Sequence, residues 1–364
     1  MSKNIETKSV VIIGATGGLG SGFARALAEK GAKLLLVGRN AEKLNAVKNS
    51  LRGDINIAIS DLTDLSTLEE LSNRIKEWSP EVDLIINASG YDVRKSLEDH
   101  SIDEIKKLID INLMGTILIT KTLMKNLKDI NGSTMIHIGG FGDGRMAFPY
   151  YSVDVATRAG VFTFIESVNR EMETEGKKIR ITYFCPSPAE TEAERPYHNL
   201  WRKMGIRIVS VEKVAEELIK IYEKKMTVGI MGGKTTVIFA KLNSVMPKLA
   251  DLIIMKRYGK MLREYLYSKN EANNGVDIKS RTSGNFLSKI AVVLLILSFV
   301  FYGSAFLLIP LSLPYKAMII PGLIILGEFV WWLGVAIVGK QAVTKYRKFL
   351  NPCNWCRGNS SKSF

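Results

Sequence analysis

Three glycines at 14, 18 and 20 line a short turn, Gly14-Ala-Thr-Gly-Gly-Leu-Gly20, between the apolar run Val10 to Ile13 and a helical pattern. A glycine turn from a buried strand into a helix gathers backbone N–H groups and the positive end of the helix dipole, which suits a phosphate. Thr16 and Leu19 lie within this turn. A second pair with chemical potential comes much later: Asp154 and Arg158 stand four apart, so a carboxyl and a guanidinium share one side of a helix. A neighbouring cation favours the ionised carboxylate. Asp154 is therefore expected below the ordinary value of about 3.9 and to be a poor proton donor at neutral pH. Tyr151, with Tyr150, is the nearest phenol to serve as a displaced acid, and His137 reads as a satisfied core histidine.

These residues need a scaffold that brings distant segments together. Leu19, Phe23, Ala26 and Leu27 recur at helical spacing and give the segment after the glycines one buried face. Ala32 to Val37 reads as a second strand, a helix follows over 41–52, and Ile55 to Ile59, Val82 to Ile86, Thr134 to Ile138 and Ile179 to Phe184 read as further strands. Buried strands alternating with helices predict an α/β fold, a doubly wound parallel sheet. The second strand ends in Gly38-Arg39, about 20 residues past the glycines. An acidic residue there suits the ribose 2′-hydroxyl of NAD, whereas an arginine suits a 2′-phosphate, so Arg39 predicts NADP(H).

The glycine spacing, Asn87-Ala-Ser-Gly90, Asn112 in a helix and Pro186 to Thr191 after the sixth strand appear in an order that resembles the short-chain dehydrogenases/reductases over residues 8 to 240. The resemblance implies a Rossmann fold and an oxidoreductase, with a homo-oligomer as the assembly. It implies that Asp61 and Leu62 contact adenine and that Asn87, Ala88 and Gly90 line the sheet beside the cofactor. It further implies that Asn112 holds a structural water of the proton relay, and that Pro186 and Thr191 touch the carboxamide. Ser89 and Ser187 depart from the family's residues. So does the catalytic set: with Glu166 and Arg170-Glu171-Met172 matched to the family's helix end, Phe141 falls on its serine, Asp154 on its tyrosine and Arg158 on its lysine. Phenylalanine has no donor or acceptor with which to polarise a carbonyl. Arg158 keeps the capacity to hold a ribose diol. A rival alignment places Tyr151 on the tyrosine position and needs a gap.

The chain has 364 residues, 50 basic against 36 acidic, and a net charge of +14, with much of the excess around an apolar C-terminal region. That distribution points to an anionic membrane surface and away from nucleic acid. The three cysteines, Cys185, Cys353 and Cys356, are too few for a disulfide framework, and Cys353 and Cys356 alone do not make a metal site, so no metal is expected. Residues 241–267 read as a basic amphipathic helical segment and 268–285 as a linker. Over 286–340 a C-terminal α-helical membrane hairpin is expected, with spans at Ile290 to Ile309 and Ala317 to Val338, followed by a basic tail over 341–364. Basic residues at both ends put both ends of the hairpin, and the nucleotide-binding domain over 1–240, in the cytosol. Glu328 within the second span is a functional or helix-pairing candidate.

Two functions fit this pattern. One is a membrane-anchored oxidoreductase for a lipidic carbonyl or alcohol, such as a 3-oxoacyl or ketosphingoid chain. The other is a catalytically silent NADP(H)-binding sensor or scaffold. Non-redox chemistry through Asp154, Arg158 or Asp143 is a third reading.

Overall fold

Val10 and Ile12 of the first strand face one side of a sheet while Val11 and Ile13 face the other, and all four are fully buried. A strand apolar on both faces must be central and covered twice, which is what a doubly wound sheet provides. A computed structural model describes residues 5–129, 133–140, 146–271, 294, 297–305, 308 and 319–332. Its strands are β1 (Ser9–Ile13), β2 (Lys33–Gly38), β3 (Ile55–Ile59), β4 (Leu84–Asn87), β5 (Thr134–Ile138), β6 (Arg180–Cys185) and β7 (Val228–Ile230). They form one parallel sheet in the order β3-β2-β1-β4-β5-β6-β7. The order reverses beside β1, between β1 and β4. In open sheets of this kind a ligand binds at the carboxyl ends of the strands where the order reverses.

The helices are α1 (Gly18–Glu29), α2 (Ala41–Asn49), α3 (Leu65–Trp78), α4 (Ile102–Leu108), α5 (Gly115–Leu123), α6 (Ser152–Thr174), α7 (His198–Lys203), α8 (Val211–Glu223), α9 (Gly233–Val245), α10 (Pro247–Ile254) and α11 (Lys260–Glu271). Phe23 and Leu27 of α1 and Leu218 of α8 cover one face of the sheet with Leu34, Leu36 and Phe184. Leu68 and Ile75 of α3, Ile119 of α5 and Ile165 of α6 cover the other. A third cluster lies apart from the sheet, where Tyr151, Leu200, Trp201 and Met204 meet Leu262 of α11.

Three details depart from the sequence reading. The helix expected over 41–52 ends at Asn49, where the Ser50 hydroxyl turns back onto the Val47 carbonyl at 2.7 Å. β7 is an added edge strand of three residues, too short to show periodicity. Finally, α11 runs to Glu271, into the stretch read as linker.

The chain divides into two compact units, Met1–Gly275 and Val276–Phe364. In the second, helical residues 297–305 and 319–332 pack together. Phe299 meets Trp331 edge-on with 5.8 Å between ring centroids, and the Tyr302 ring lies 3.0 Å from where a Cβ on Gly327 would stand. Phe299, Ile325, Phe329 and Trp332 are exposed around this pair. Among the described residues no helix is long and apolar enough to cross a membrane. The remaining parts of the expected hairpin, the tail, Cys353 and Cys356 lie outside the described residues, as do Phe141 and Asp143.

Candidate active site

The glycine turn is stitched to β2, since the N–H groups of Gly14 and Ala15 both donate to the Val37 carbonyl, at 3.0 and 3.1 Å. Each glycine answers a different constraint. Gly14 has φ +75°, and a Cβ on it would lie 2.8 Å from the Ser89 nitrogen. A Cβ on Gly18 would lie 2.7 Å from the Thr191 methyl, and one on Gly20 only 2.2 Å from the Gly14 carbonyl oxygen. The turn, the loop after β4 and the loop after β6 therefore touch through glycines. α1 begins at Gly18 with no side-chain cap on its N-terminus, so its first N–H groups are left without a side-chain acceptor at the sheet's carboxyl edge.

Beside the turn, Arg39 is exposed at the end of β2, and the Thr16 methyl lies 3.7 Å from where a Cβ on Gly38 would stand. Asp61 accepts from the Thr63 N–H at 3.0 Å and from its hydroxyl at 2.8 Å. The Thr63 backbone bond, with Arg39's charge adding to it, holds the Asp61 carboxyl below the ordinary carboxylate value. Leu62 is half-buried next to it. On β4, Asn87 accepts from the Ser89 N–H at 3.1 Å, and its amide nitrogen sits 3.1 Å from His137 Nδ1. His137 Nε2 is 2.9 Å from the Thr120 hydroxyl, which itself donates to the Thr116 carbonyl. That pattern requires the neutral Nε2–H tautomer, and complete burial pushes the imidazole pKa down to about 3. Ala88 continues the strand, its N–H donating to Ile13. His137 is thus a core histidine that fixes Asn87.

Asn112 sits in a π-helical turn, Ile109–Met114, that breaks the helix beside the site. Its side-chain oxygen accepts from the Tyr91 N–H at 2.8 Å, while its nitrogen donates to the Tyr91 carbonyl at 2.8 Å and to Asp154 Oδ1 at 3.1 Å. Arg158 Nε donates to the same Asp154 oxygen at 3.3 Å, and Arg158 Nη1 donates to the Ile138 carbonyl at 3.2 Å. The guanidinium lies against Gly90, its Nη2 3.4 Å from where a Cβ there would stand, an ordinary contact distance. The expected sign of the Asp154 shift is reversed. Asp154 is buried, and desolvation raises its pKa above the ordinary value by more than the Arg158 charge lowers it.

Pro186 follows β6, and Thr191 is folded back with its N–H on the Ala189 carbonyl at 2.7 Å. Tyr151 immediately precedes α6 and is buried in the third cluster, where burial raises its phenol pKa. Two features had no signal in the sequence. Tyr183 of β6 sends its hydroxyl to the Gly140 carbonyl at 2.6 Å and accepts from the Gly140 N–H at 2.9 Å, with its ring filling the place of a side chain on Gly139. Arg94 is buried between Asp92 and Glu194 and stacks on aromatic rings. Among the described residues no group of His, Cys, Asp or Glu is placed to hold a metal ion.

Residues 8–199 match the short chain dehydrogenase family. The chain belongs to the short-chain dehydrogenase family. An uncharacterized oxidoreductase of Staphylococcus aureus (strain MRSA252) is 28% identical over 200 residues, 55% of this chain and 85% of the relative. One from Staphylococcus epidermidis is 25% identical over 190 residues, 51% and 80% of the respective chains. A crystal structure of an actinorhodin polyketide ketoreductase variant with NADPH superposes with a TM-score of 0.56 at 20% identity, over 64% of this chain and 98% of that one, which bears on the fold. Within the short-chain dehydrogenase pattern, the glycine turn and the approach of Thr191 to Gly18 fit the pyrophosphate of a nicotinamide dinucleotide. Asp154 and Arg158, matched in sequence to the family's tyrosine and lysine, stand as an ion pair, Nε to Oδ1 at 3.3 Å.

Proposed function

We propose that this protein binds NADP(H) and acts as a membrane-anchored oxidoreductase on a lipidic carbonyl or alcohol, such as a 3-oxoacyl or ketosphingoid chain. The observation that carries the reading is the buried Asp154 carboxyl. It lies in hydrogen-bond contact with Asn112 and Arg158 at the carboxyl edge of the sheet, and burial pushes its proton affinity upward. A carboxyl with raised proton affinity is better matched to proton transfer than an ordinary one. Arg158 keeps that carboxyl oriented, and its guanidinium remains available to a ribose hydroxyl. NADPH, when bound, supplies the hydride. Exposed Arg39 beside the turn supports the phosphorylated dinucleotide. Exposed aromatic and aliphatic residues on the helices of the second unit support anchoring in lipid, and an anchored domain meets substrates that live there.

A specific observation favours the second reading, a silent NADP(H)-binding sensor or scaffold: Asp154 Oδ1 already accepts from both Asn112 and Arg158. Purified full-length protein in detergent separates the two. Tighter binding of NADPH than NADH is expected from either reading, and failure to bind any dinucleotide overturns both. NADPH oxidation with long-chain 3-oxo substrates, lost in Asp154→Ala, establishes the oxidoreductase. Cofactor binding without turnover establishes the silent protein.

A further inference from the structure

The net charge is not spread over the molecule. Residues 1–232 carry 32 basic and 31 acidic side chains, so nearly all of the +14 resides beyond them. Part of that excess falls within the first unit, where residues 241–263 hold six basic residues against Asp251 alone. The same stretch exposes large apolar side chains: Ile238 is 64% exposed, Val245 79% and Met255 58%, values that a helix packed in a protein interior does not show.

The helices sort these residues by side. On α9, Ile238, Lys241 and Val245 recur at i, i+3 and i+7, and Ala240 is fully buried away from them. Along α10 and the turn that follows it, Lys248, Leu252 and Met255 recur at i, i+4 and i+7, while Ala250 and Ile254 are buried. Lys248, Lys256 and Arg257 are exposed on the same stretch. α11 does the opposite: Leu262 is completely buried against Leu200 and Trp201, and the Tyr265 hydroxyl donates to the Pro196 carbonyl in the loop that carries Thr191. One helical stretch therefore covers the segment beside the candidate site with its last part and presents an apolar, basic face with its first.

We infer that the outer face of α9 and α10 is a docking surface for an anionic lipid bilayer, with Ile238, Val245 and Met255 entering the headgroup boundary and Lys248, Lys256 and Arg257 meeting lipid phosphates. This rests on the membrane reading above and adds a contact separate from the C-terminal anchor. Charge complementarity selects the partner. Interleaved cations and large apolar groups match a surface that is negative outside and oily beneath, whereas a second copy of the same basic face would repel it. Through α11, lipid contact then sits next to the loop over the site.

The test uses the full chain in nanodiscs of phosphatidylcholine, with or without about 30% phosphatidylserine, read by backbone hydrogen exchange. Amides over 238–257 should exchange roughly tenfold more slowly in the anionic discs, and salt at about 0.5 M or the triple variant Lys248→Glu, Lys256→Glu, Arg257→Glu should erase the protection. These side chains are exposed, so the variant should keep the wild-type exchange pattern of β1–β6. Equal exchange in both kinds of disc overturns the inference, as does protection that follows protein concentration instead of lipid charge, which would mean self-association. If the chain does not enter discs, the anchor reading fails, and sedimentation with anionic vesicles then tests this face directly: binding supports it and no binding overturns it.

Discussion

The guanidinium carbon of Arg94 lies 3.8 Å from the centroid of the Tyr197 ring, joining the loop after β4 to the loop after β6. Asp92 and Glu194 pair with the same cation, and Trp201 Nε1 donates to Glu194 at 2.7 Å. Removing Arg94 leaves two carboxylates without a counter-ion next to rings that have lost their stacking partner. Arg94→Ala is expected to lower unfolding free energy by about 3 kcal/mol, the low end for a broken buried pair because Asp92 is 34% exposed. Urea unfolding with an unchanged slope measures it. A loss under about 1 kcal/mol would mean that the cluster is solvated and holds nothing.

The glycine turn makes a graded prediction. A Cβ at position 20 would meet backbone, the Gly14 oxygen at 2.2 Å, whereas one at position 18 would meet the Thr191 side chain, which can rotate away. Gly20→Ala should therefore abolish NADPH binding and cost about 1–3 kcal/mol, with Gly18→Ala milder in both respects. Fluorescence titration with NADPH and thermal unfolding give the two orders, and a reversed ranking would contradict the geometry of the turn.

Arg39→Ala should reduce the preference for NADPH over NADH about 10- to 100-fold, the worth of one or more charged hydrogen bonds to a 2′-phosphate, while NADH affinity stays the same. Competitive titration of the two cofactors reads this directly. An unchanged ratio would assign the discrimination elsewhere on the rim of the turn.

These cases show which parts of the site a sequence makes legible. The glycine turn and the Asp154–Arg158 spacing are local, so residue type and interval suffice. Arg94 and Glu194 are 100 residues apart, and only the sheet order brings their loops together. Tyr183 reads as one more apolar strand residue until the backbone of Gly139 and Gly140 is seen to pass over its ring. The same limit produced the wrong sign at Asp154. The neighbouring cation is visible in the sequence, but desolvation depends on how the helix packs, and here it is the larger effect.

That sign has a consequence for stability. A carboxyl whose folded pKa is raised binds its proton more tightly in the native state than in the unfolded chain. Native stability is then lost as pH rises from the ordinary value of 3.8 through the raised one. Asp154→Asn carries no titrating group, and its side-chain oxygen can still accept from Asn112 and Arg158. The stability of Asp154→Asn minus that of the wild type should therefore increase with pH across that window. Other carboxylates titrate in both proteins, among them Asp61 and Asp83, which are lowered, so they cancel in the difference. Urea unfolding of both proteins from pH 4 to pH 8 reads it. A difference that falls with pH would mean that Arg158 outweighs burial and that Asp154 is held ionised, which would remove it as a proton donor. If the rise is found, turnover in the wild type should decline through the same window, and Asp154→Asn should lose about 10²- to 10⁴-fold, the usual worth of a positioned acid.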